Sequence, residues 1–152
     1  MVPNKGMNPN DPEFFELLVG SFRRLVGRPL VERDRGPEWL YGDAPFALLA
    51  HNTDADPVFV YANATAQKRF GYSWSEFTKL TSRLSAGPSE REERQALLDA
   101  VGRKGYMTRY RGLRVTKSGR RFWMEDGVVW QLRDERGRDF GQAAMFSKWT
   151  DL

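Results

Sequence analysis

Few residues of the chain have the types and spacing that chemistry requires. His51 is the only histidine among 152 residues and cysteine is absent, so a zinc site would lack its usual ligands and haem would depend on one imidazole. No serine lies in a Gly-x-Ser-x-Gly turn, and no Walker loop or Gly-x-Gly-x-x-Gly segment is present. Glu125 and Asp126 are adjacent, so a regular strand points them to opposite faces. We therefore expect no enzyme, metal or haem.

A polar side chain among apolar ones gives the clearest indication of a binding pocket. Gln142 lies in the last apolar run of the chain, and a buried amide costs free energy unless it is paired, so it should hold either backbone or ligand. Apolar walls with one orienting polar group suit a small, mostly apolar ligand. The residues that we expect to line this pocket are Phe59, Tyr61, Asn63, Phe122, Met124, Trp130, Gln142 and Ala144. Each aromatic taken alone is better explained as core.

The first element that the sequence predicts is an amphipathic helix over about residues 12–26. Asp11 followed by Pro12 is typical of a helix start, and Gly27 is typical of a helix end. Its apolar stripe recurs at the spacing of a helix and must be covered, either by the sheet of its own chain or by a second copy. We expect a homodimer through the residues of this stripe, which are Phe14, Leu18, Phe22 and Leu25. Residues 28–36 are interpreted as a connector.

The middle of the chain predicts a hairpin followed by short helices. Residues 46–51 and 58–61 are apolar runs separated by turn formers. Asn63 either caps a helix over residues 64–70 or turns into the pocket. Two capping boxes, Ser73 with Glu76 and Ser89 with Glu92, predict the starts of two further helices.

The C-terminal third predicts three strands, over residues 106–116, 122–132 and 140–146. Asp126 and Gly127 interrupt the second strand as a candidate bulge. Along this strand Phe122, Met124, Val128, Trp130 and Leu132 share one parity, and we expect them on one face.

The string from Tyr61, Asn63 and Ala64 to residues 70–76 resembles the PAS sensory domain. A longer set resembles the PAS-related MEKHLA domain over roughly residues 37–149; it comprises residues 57–76, 83–86, 117–122, Trp130 and 141–146. The hexapeptide that names that family is absent here, as are the homeodomain and leucine zipper of its plant members, so a transcription-factor role is not carried over.

The resemblance implies an α+β fold, namely a five-stranded antiparallel sheet with short helices over one face and an apolar pocket between them. Residues 1–36 would form an N-terminal extension and residues 37–149 the domain. Such domains bind a small molecule or a partner chain and pass on a change of shape. Light-driven adduct chemistry in this group needs a reactive cysteine, so the cysteine-free chain excludes it, whereas Gln142 leaves a non-covalent flavin open.

Charge is uneven along the chain, with a net charge of +4 and a sequence pI near 9.6. Residues 103–124 carry basic side chains and no acid, interleaved with Tyr106, Tyr110 and Trp123, as in some nucleic-acid surfaces. A solvated sheet face is the commoner explanation, so we do not expect nucleic acid as a partner. The N-terminus lacks the apolar run of a signal peptide, which predicts a cytoplasmic protein that does not bind membranes.

The sequence therefore predicts a sensory or interaction module that binds a small, mostly apolar ligand and signals through a separate protein. One alternative is a protein-interaction domain with a filled core. Another is a small enzyme on a related α+β fold. That enzyme would need His51 paired with Asp54 or Asp56, which look like part of a surface turn.

Overall fold

One antiparallel sheet forms the centre of the chain and carries helices on both of its faces. The structure, a computed structural model, describes residues 8–152. Its elements are α1 (Pro12–Val26), α2 (Pro37–Gly42), β1 (Ala47–His51), β2 (Phe59–Ala62), α3 (Ala64–Phe70), α4 (Trp74–Phe77), two 3-10 turns (Ser82–Ser85 and Pro88–Glu90), α5 (Arg91–Lys104), β3 (Tyr106–Val115), β4 (Arg121–Arg133), β5 (Asp139–Phe146) and β6 (Lys148–Asp151). The strand order is β2-β1-β5-β4-β3, and β6 also pairs with β4. The predicted α+β class is confirmed.

Helix α1 covers one face of the sheet, here called the outer face. The Asp11 side chain accepts from the amide of Phe14, and Gly27 ends the helix at φ 88, as the sequence predicts. The indole Nε1 of Trp130 on β4 donates to Ser21 Oγ over 3.0 Å. Phe22 packs edge-on against the same indole, with ring centroids 4.8 Å apart. The helix is therefore part of the core of its own chain.

This packing corrects the predicted dimer helix. Phe14, Leu18 and Phe22 are buried against the sheet, and Leu25 packs partly buried against the same cluster. The outer face carries apolar side chains such as Trp130 and would be exposed without α1, so hydrophobic burial within the chain decides the location of the stripe.

Helices α3, α4 and α5 cover the opposite face, here called the inner face. Its core is largely aromatic: Phe70 packs edge-on against Phe77 and Phe122, with centroids 5.7 and 5.2 Å apart. Phe146 joins the same cluster from β5. Helix α5, by contrast, buries only Arg94, Leu97 and Val101 of its 14 residues, a smaller share than in α3 or α4, so we expect it to be held more weakly than the sheet.

A bulge in β4 moves Trp130 to the face opposite Phe122. Between the pairs Gly112–Met124 and Tyr110–Gly127, β4 advances by one residue more than β3. Asp126 absorbs the extra residue at φ 49. Because strand side chains alternate with period two, one inserted residue exchanges the faces of everything beyond it. The expected single-parity row is therefore wrong: Phe122 and Met124 face inward, whereas Val128, Trp130 and Leu132 face outward.

A second bulge has the same effect on β2. Ala50 pairs with Tyr61 and His51 pairs with Phe59, so β2 advances by one residue more than β1. Phe59 then lies in the inner core and Tyr61 in the outer core.

Three further features differ from the sequence-based expectation. Helix α2 lies where a connector was expected to end, and β6 adds a sixth strand that pairs with residues 122–125 of β4. The predicted capping box of Ser89 with Glu92 is wrong. Ser89 Oγ bonds the carboxylate of Glu90 in a 3-10 turn, and α5 begins at Arg91 without a side-chain cap.

Candidate functional site

A small, partly open cavity lies between α5 and the inner face of the sheet. Its volume is about 30 Å³, roughly the space of one water molecule. The walls of this inner cavity are mainly apolar, with a few polar and charged side chains. They comprise Leu49, His51, Phe59, Ser85, Arg94, Leu97, Leu98, Arg114, Met124, Val129, Gln142, Ala143 and Ala144.

A polar row crosses the sheet at one end of this cavity. His51 pairs with Gln142 across β1 and β5, and Gln142 pairs with Gln131 across β5 and β4. The Gln142 amide Nε2 donates to the Leu98 carbonyl of α5 over 3.0 Å and to Gln131 Oε1. Its Oε1 is buried and accepts from no described residue between 8 and 152. The amide therefore ties α5 to the sheet and leaves one acceptor unused.

Close backbone packing fixes the position of Gln142. Gly141 lies at φ 132, and a Cβ at that position would lie 1.9 Å from the carbonyl oxygen of His51. Only glycine allows β5 to approach β1 so closely at this point.

Two buried arginines line the cavity, and only Arg114 has hydrogen-bond partners within residues 8–152. Arg114 on β3 is 4% exposed and donates to the Leu113 carbonyl and to Tyr110 Oη, over 2.9 and 3.0 Å. Arg94 on α5 is 7% exposed. Its guanidinium has neither a hydrogen bond nor an ion pair with any residue in the described range 8–152. Burial and the nearby Arg114 lower the pKa of Arg94 to about 10, so it stays charged at neutral pH.

The only carboxylate linked to Arg114 by a chain of hydrogen bonds, within residues 8–152, is that of Glu93, whose charge also attracts Arg94. Tyr110 Oη donates to the Glu93 carboxylate over 3.0 Å, and the Glu93 side chain is exposed. One negative charge at the rim thus faces two positive charges inside.

His51 is a neutral member of the site. Its Nδ1 lies 3.0 Å from the carbonyl oxygen of Asn52, which only accepts, so Nδ1 carries the proton and Nε2 keeps its lone pair. Burial lowers the pKa of His51 from 6.5 to about 4, and the charge of Arg94 acts in the same direction. The imidazole is therefore uncharged at pH 7.

Asn63 organises the corner between β2 and α3. Its Oδ1 accepts from the amides of Ala66 and Leu48, each over 3.0 Å. Its Nδ2 donates to the carbonyls of Leu40 and Phe46 over 3.1 and 3.0 Å. All four bonding positions of the amide are filled by backbone, so of the two roles considered for Asn63 the structure shows the helix cap, and the pocket role is corrected.

The predicted pocket residues divide into three groups. Phe59, Met124, Gln142 and Ala144 line the cavity. Phe122 lies in the same core but packs on Phe70 rather than on the cavity. Tyr61 and Trp130 lie on the outer face, and their assignment to the pocket is corrected because each follows a bulge.

Sequence reasoning did not identify His51, Ser85, Arg94 and Arg114 as cavity residues. Arg94 does recur at helical spacing with Leu97, Leu98 and Val101, which is a usable signal for the buried face of α5. Arg114 was assigned to a solvated basic face, and no sequence pattern separates it from the exposed arginines around it.

The described part of the chain carries neither a cluster of metal ligands nor a membrane-spanning helix. No group of three or more acidic or histidine side chains within residues 8–152 is placed to hold a metal ion. No helix among the same residues is long and apolar enough to cross a membrane.

Comparison with known proteins identifies a domain family for most of the chain. The family described as the MEKHLA domain matches residues 12–151. No curated protein is significantly similar to the chain.

Solved structures show the same fold at low sequence identity. The PAS domain of a protein from Colwellia psychrerythraea superposes with a TM-score of 0.61 at 16% identity, covering 74% of this chain and 90% of that one. An RNA-binding light-oxygen-voltage receptor gives 0.61 at 22%, covering 82% and 36%. A blue-light activated histidine kinase from Erythrobacter litoralis gives 0.58 at 18%, covering 76% and 35%.

Proposed function

The chain belongs to the MEKHLA domain family, and from that premise we propose that it is a sensory module that binds a small molecule in the inner cavity. The observation that carries the proposal is that the Oε1 of Gln142 is buried and accepts no hydrogen bond from residues 8–152. Burying an acceptor without a donor costs about 1–3 kcal/mol, and a ligand that brings a donor into the cavity removes that cost. The PAS-type fold of the chain supports the sensory or interaction role.

Helix α5 is the element that would report binding. The cavity of about 30 Å³ is about a tenth of the smallest common ligand pockets, so a ligand must displace part of its wall. The sheet is fixed by paired strands, whereas α5 is held by few buried side chains and by the bond from Gln142 to the Leu98 carbonyl. Displacement of α5 changes the surface available to a separate partner protein.

A protein-interaction domain with a filled core is the second candidate. The small cavity volume favours it, because a core that accepts no more than about one water has no room for a sensor ligand in this conformation. A homodimer remains a prediction under both candidates, and its surface must lie elsewhere than the buried stripe of α1.

A flavin would require a much larger displacement of the cavity wall than a small metabolite. The ring system needs several times the available space, and the chain has no cysteine for an adduct. The proposal accordingly includes no flavin chemistry and no enzymatic reaction.

Native mass spectrometry combined with thermal denaturation in a metabolite panel tests the proposal. We expect at least one compound to raise Tm for the wild type and for the Gln95→Leu control, whose amide is exposed on α5 and bonds Asp99. The Gln142→Leu variant should lose that response. An unliganded protein that no compound stabilises would contradict the sensor proposal and leave the interaction domain.

A further inference from the structure

We propose that the ligand of the inner cavity is a small hydroxy carboxylate, held by the guanidinium groups of Arg94 and Arg114 and by the Oε1 of Gln142. The inference rests on the proposed function, because it names the ligand class of the same cavity. Three features carry it: an uncompensated positive charge, the donors that this charge presents, and the unused acceptor.

The charge balance of the site calls for one negative charge. Arg94 and Arg114 are both buried, and the single charge of the exposed Glu93 attracts Arg94 and is linked to Arg114 through Tyr110 Oη. The guanidinium of Arg94 forms no ion pair with the described chain, residues 8–152. Arg94 is only 7% exposed, and the attraction of Glu93 only partly offsets the cost of its burial and of the nearby Arg114, so an anion bound beside it would stabilise its charge. A monoanion completes the site, whereas a dianion brings excess charge into apolar walls.

The donor geometry selects the kind of anion. Guanidinium groups present planar pairs of N–H donors that match the two oxygens of a carboxylate. Two N–H groups of Arg114 are already used, on the Leu113 carbonyl and on Tyr110. Those of Arg94 have no protein acceptor within residues 8–152 and are not fully closed off from solvent. Arg94 therefore forms the main contact with the carboxylate, and Arg114 contributes its charge and its remaining donors.

The unused acceptor of Gln142 determines which second functional group the ligand should carry beside its carboxylate. Its buried Oε1 needs a donor, which a hydroxyl supplies without adding charge. An ammonium group would also donate, but it would place a third positive charge beside two guanidinium groups. His51 is neutral and its Nδ1 is bound to the Asn52 carbonyl, so it does not supply the missing counter-charge. A hydroxy acid thus fits better than an amino acid or a simple carboxylate.

Binding would also link α5 to β3, which the side chains of Arg94 and Arg114 do not join directly. Arg94 lies on α5 and Arg114 on β3, and a shared carboxylate attracts both. Entry of the ligand opens the cavity while its charge draws Arg94 towards β3, so α5 shifts relative to the sheet.

The test is titration of the full chain with defined probes at constant ionic strength. The probes are glycolate, lactate, acetate, lactamide and inorganic phosphate, with chloride as the reference salt. We expect lactate or glycolate to raise Tm with saturation, acetate to bind at least about tenfold more weakly, and lactamide and phosphate to have no effect beyond that of chloride. Equal responses to lactate and lactamide would overturn the inference.

Variants of Arg94 separate binding from folding. Arg94→Met removes the uncompensated charge, so we expect an unchanged or higher Tm without ligand together with the loss of the lactate response. Arg94→Lys keeps the charge but not the planar donor pair and should bind lactate at least about tenfold more weakly. Arg103→Gln, an exposed change on the same helix, should respond like the wild type. If Arg94→Met fails to fold, the comparison of Arg94→Lys with the wild type decides.

The outcomes distinguish this inference from the proposed function. If neutral members of the metabolite panel bind and lose binding in Gln142→Leu, while no carboxylate binds, the cavity is a sensor site and the ligand class is wrong. If nothing binds, both proposals fail. A lactate response that survives in Arg94→Met places the carboxylate elsewhere and overturns the inference.

Discussion

The indole Nε1 of Trp130 donates to Ser21 Oγ over 3.0 Å, which joins the sheet to the first helix through two fully buried side chains. Ser21 Oγ in turn donates to the Leu17 carbonyl over 2.5 Å, so its lone pairs face the indole. The hydroxyl therefore acts as the acceptor for the indole. This bond helps to hold α1 against the outer face of the sheet.

Replacing Ser21 with alanine should lower the free energy of unfolding by about 1–3 kcal/mol, because the indole donor is left buried and unpaired. The measurement is urea denaturation of Ser21→Ala, Trp130→Phe and the double variant. The two changes should be clearly non-additive, since each removes the same bond. Ser75→Ala, at an exposed position on α4, should have little effect. Additive losses would show that the bond contributes nothing of its own.

Deletion of residues 1–36 should prevent the remaining chain from behaving as a folded monomer. The deletion removes α1 and exposes the apolar outer face around Trp130, and an exposed patch of that kind promotes association. Size-exclusion chromatography and near-UV circular dichroism of residues 37–152 provide the measurement. A cooperative, monomeric product would support the predicted domain start at residue 37.

Asn63→Ala should cost about 3 kcal/mol or more, because it removes a helix cap and leaves buried backbone groups unpaired. Asn63→Asp is the informative companion. It keeps the acceptor for the amides of Ala66 and Leu48 but loses the donors to the carbonyls of Leu40 and Phe46. We expect chemical denaturation to show that aspartate does not restore stability. Full rescue by aspartate would mean that the cap alone matters.

Acidification should destabilise the protein above the range in which its carboxylates titrate. The pKa of His51 falls from 6.5 to about 4 on folding, so the unfolded state binds the proton first and stability decreases as the pH falls from about 7 towards 4. We expect a loss of about 2 kcal/mol between pH 8 and pH 5.

His51→Gln should remove most of this pH dependence, because glutamine does not titrate. Carboxylates such as Glu76, whose hydrogen bond to Lys117 lowers its pKa from 4.5 to about 2, contribute stability that is lost only at lower pH. They serve as an internal control. An unchanged slope between pH 8 and pH 5 in His51→Gln would assign the effect to another group.

Gly141→Ala should destabilise the protein by more than about 4 kcal/mol, because the new methyl group meets the His51 carbonyl oxygen within the β1–β5 ladder. Gly119→Ala is a matched control with φ 90 and nothing within 4 Å of the new methyl group. It carries only the cost of its backbone conformation, about 1 kcal/mol. Thermal denaturation should separate the two variants clearly. Similar losses would mean that strain, and not the clash, limits this position.

Local signals in the sequence predicted local structure well. Asp11, Pro12 and Gly27 mark the ends of α1, and Asn63 and Gly71 mark those of α3, as the structure shows. Each of these residues acts on backbone within one turn, so its type alone carries the information. The resemblance to the MEKHLA domain, which rests on such corners, is confirmed.

The candidate site was harder to predict because it depends on which face each strand presents. Parity along β4 predicts one face for Phe122 and Trp130, and the pocket list includes Phe59 with Tyr61, but a bulge between the members of each pair separates their faces. Arg94 and Arg114 were missed because burial of a charge depends on packing between distant segments. Helical spacing with Leu97 and Val101 indicates the buried face for Arg94, but no local pattern distinguishes Arg114 from the exposed arginines of its strand.

The bulge at Asp126 fixes the number of residues that β4 must have between its inner-face and outer-face side chains. The strand supplies Phe122 to one layer and Trp130 to the other, so the number of residues between them determines which side chains reach which layer. Deleting a single residue there would turn Trp130 towards the aromatic inner core while Phe122 stayed in place. Length changes should therefore be acceptable in the turns that flank β4 and rejected within it, and natural variants of the chain should conserve this spacing more strictly than the identity of Asp126 itself.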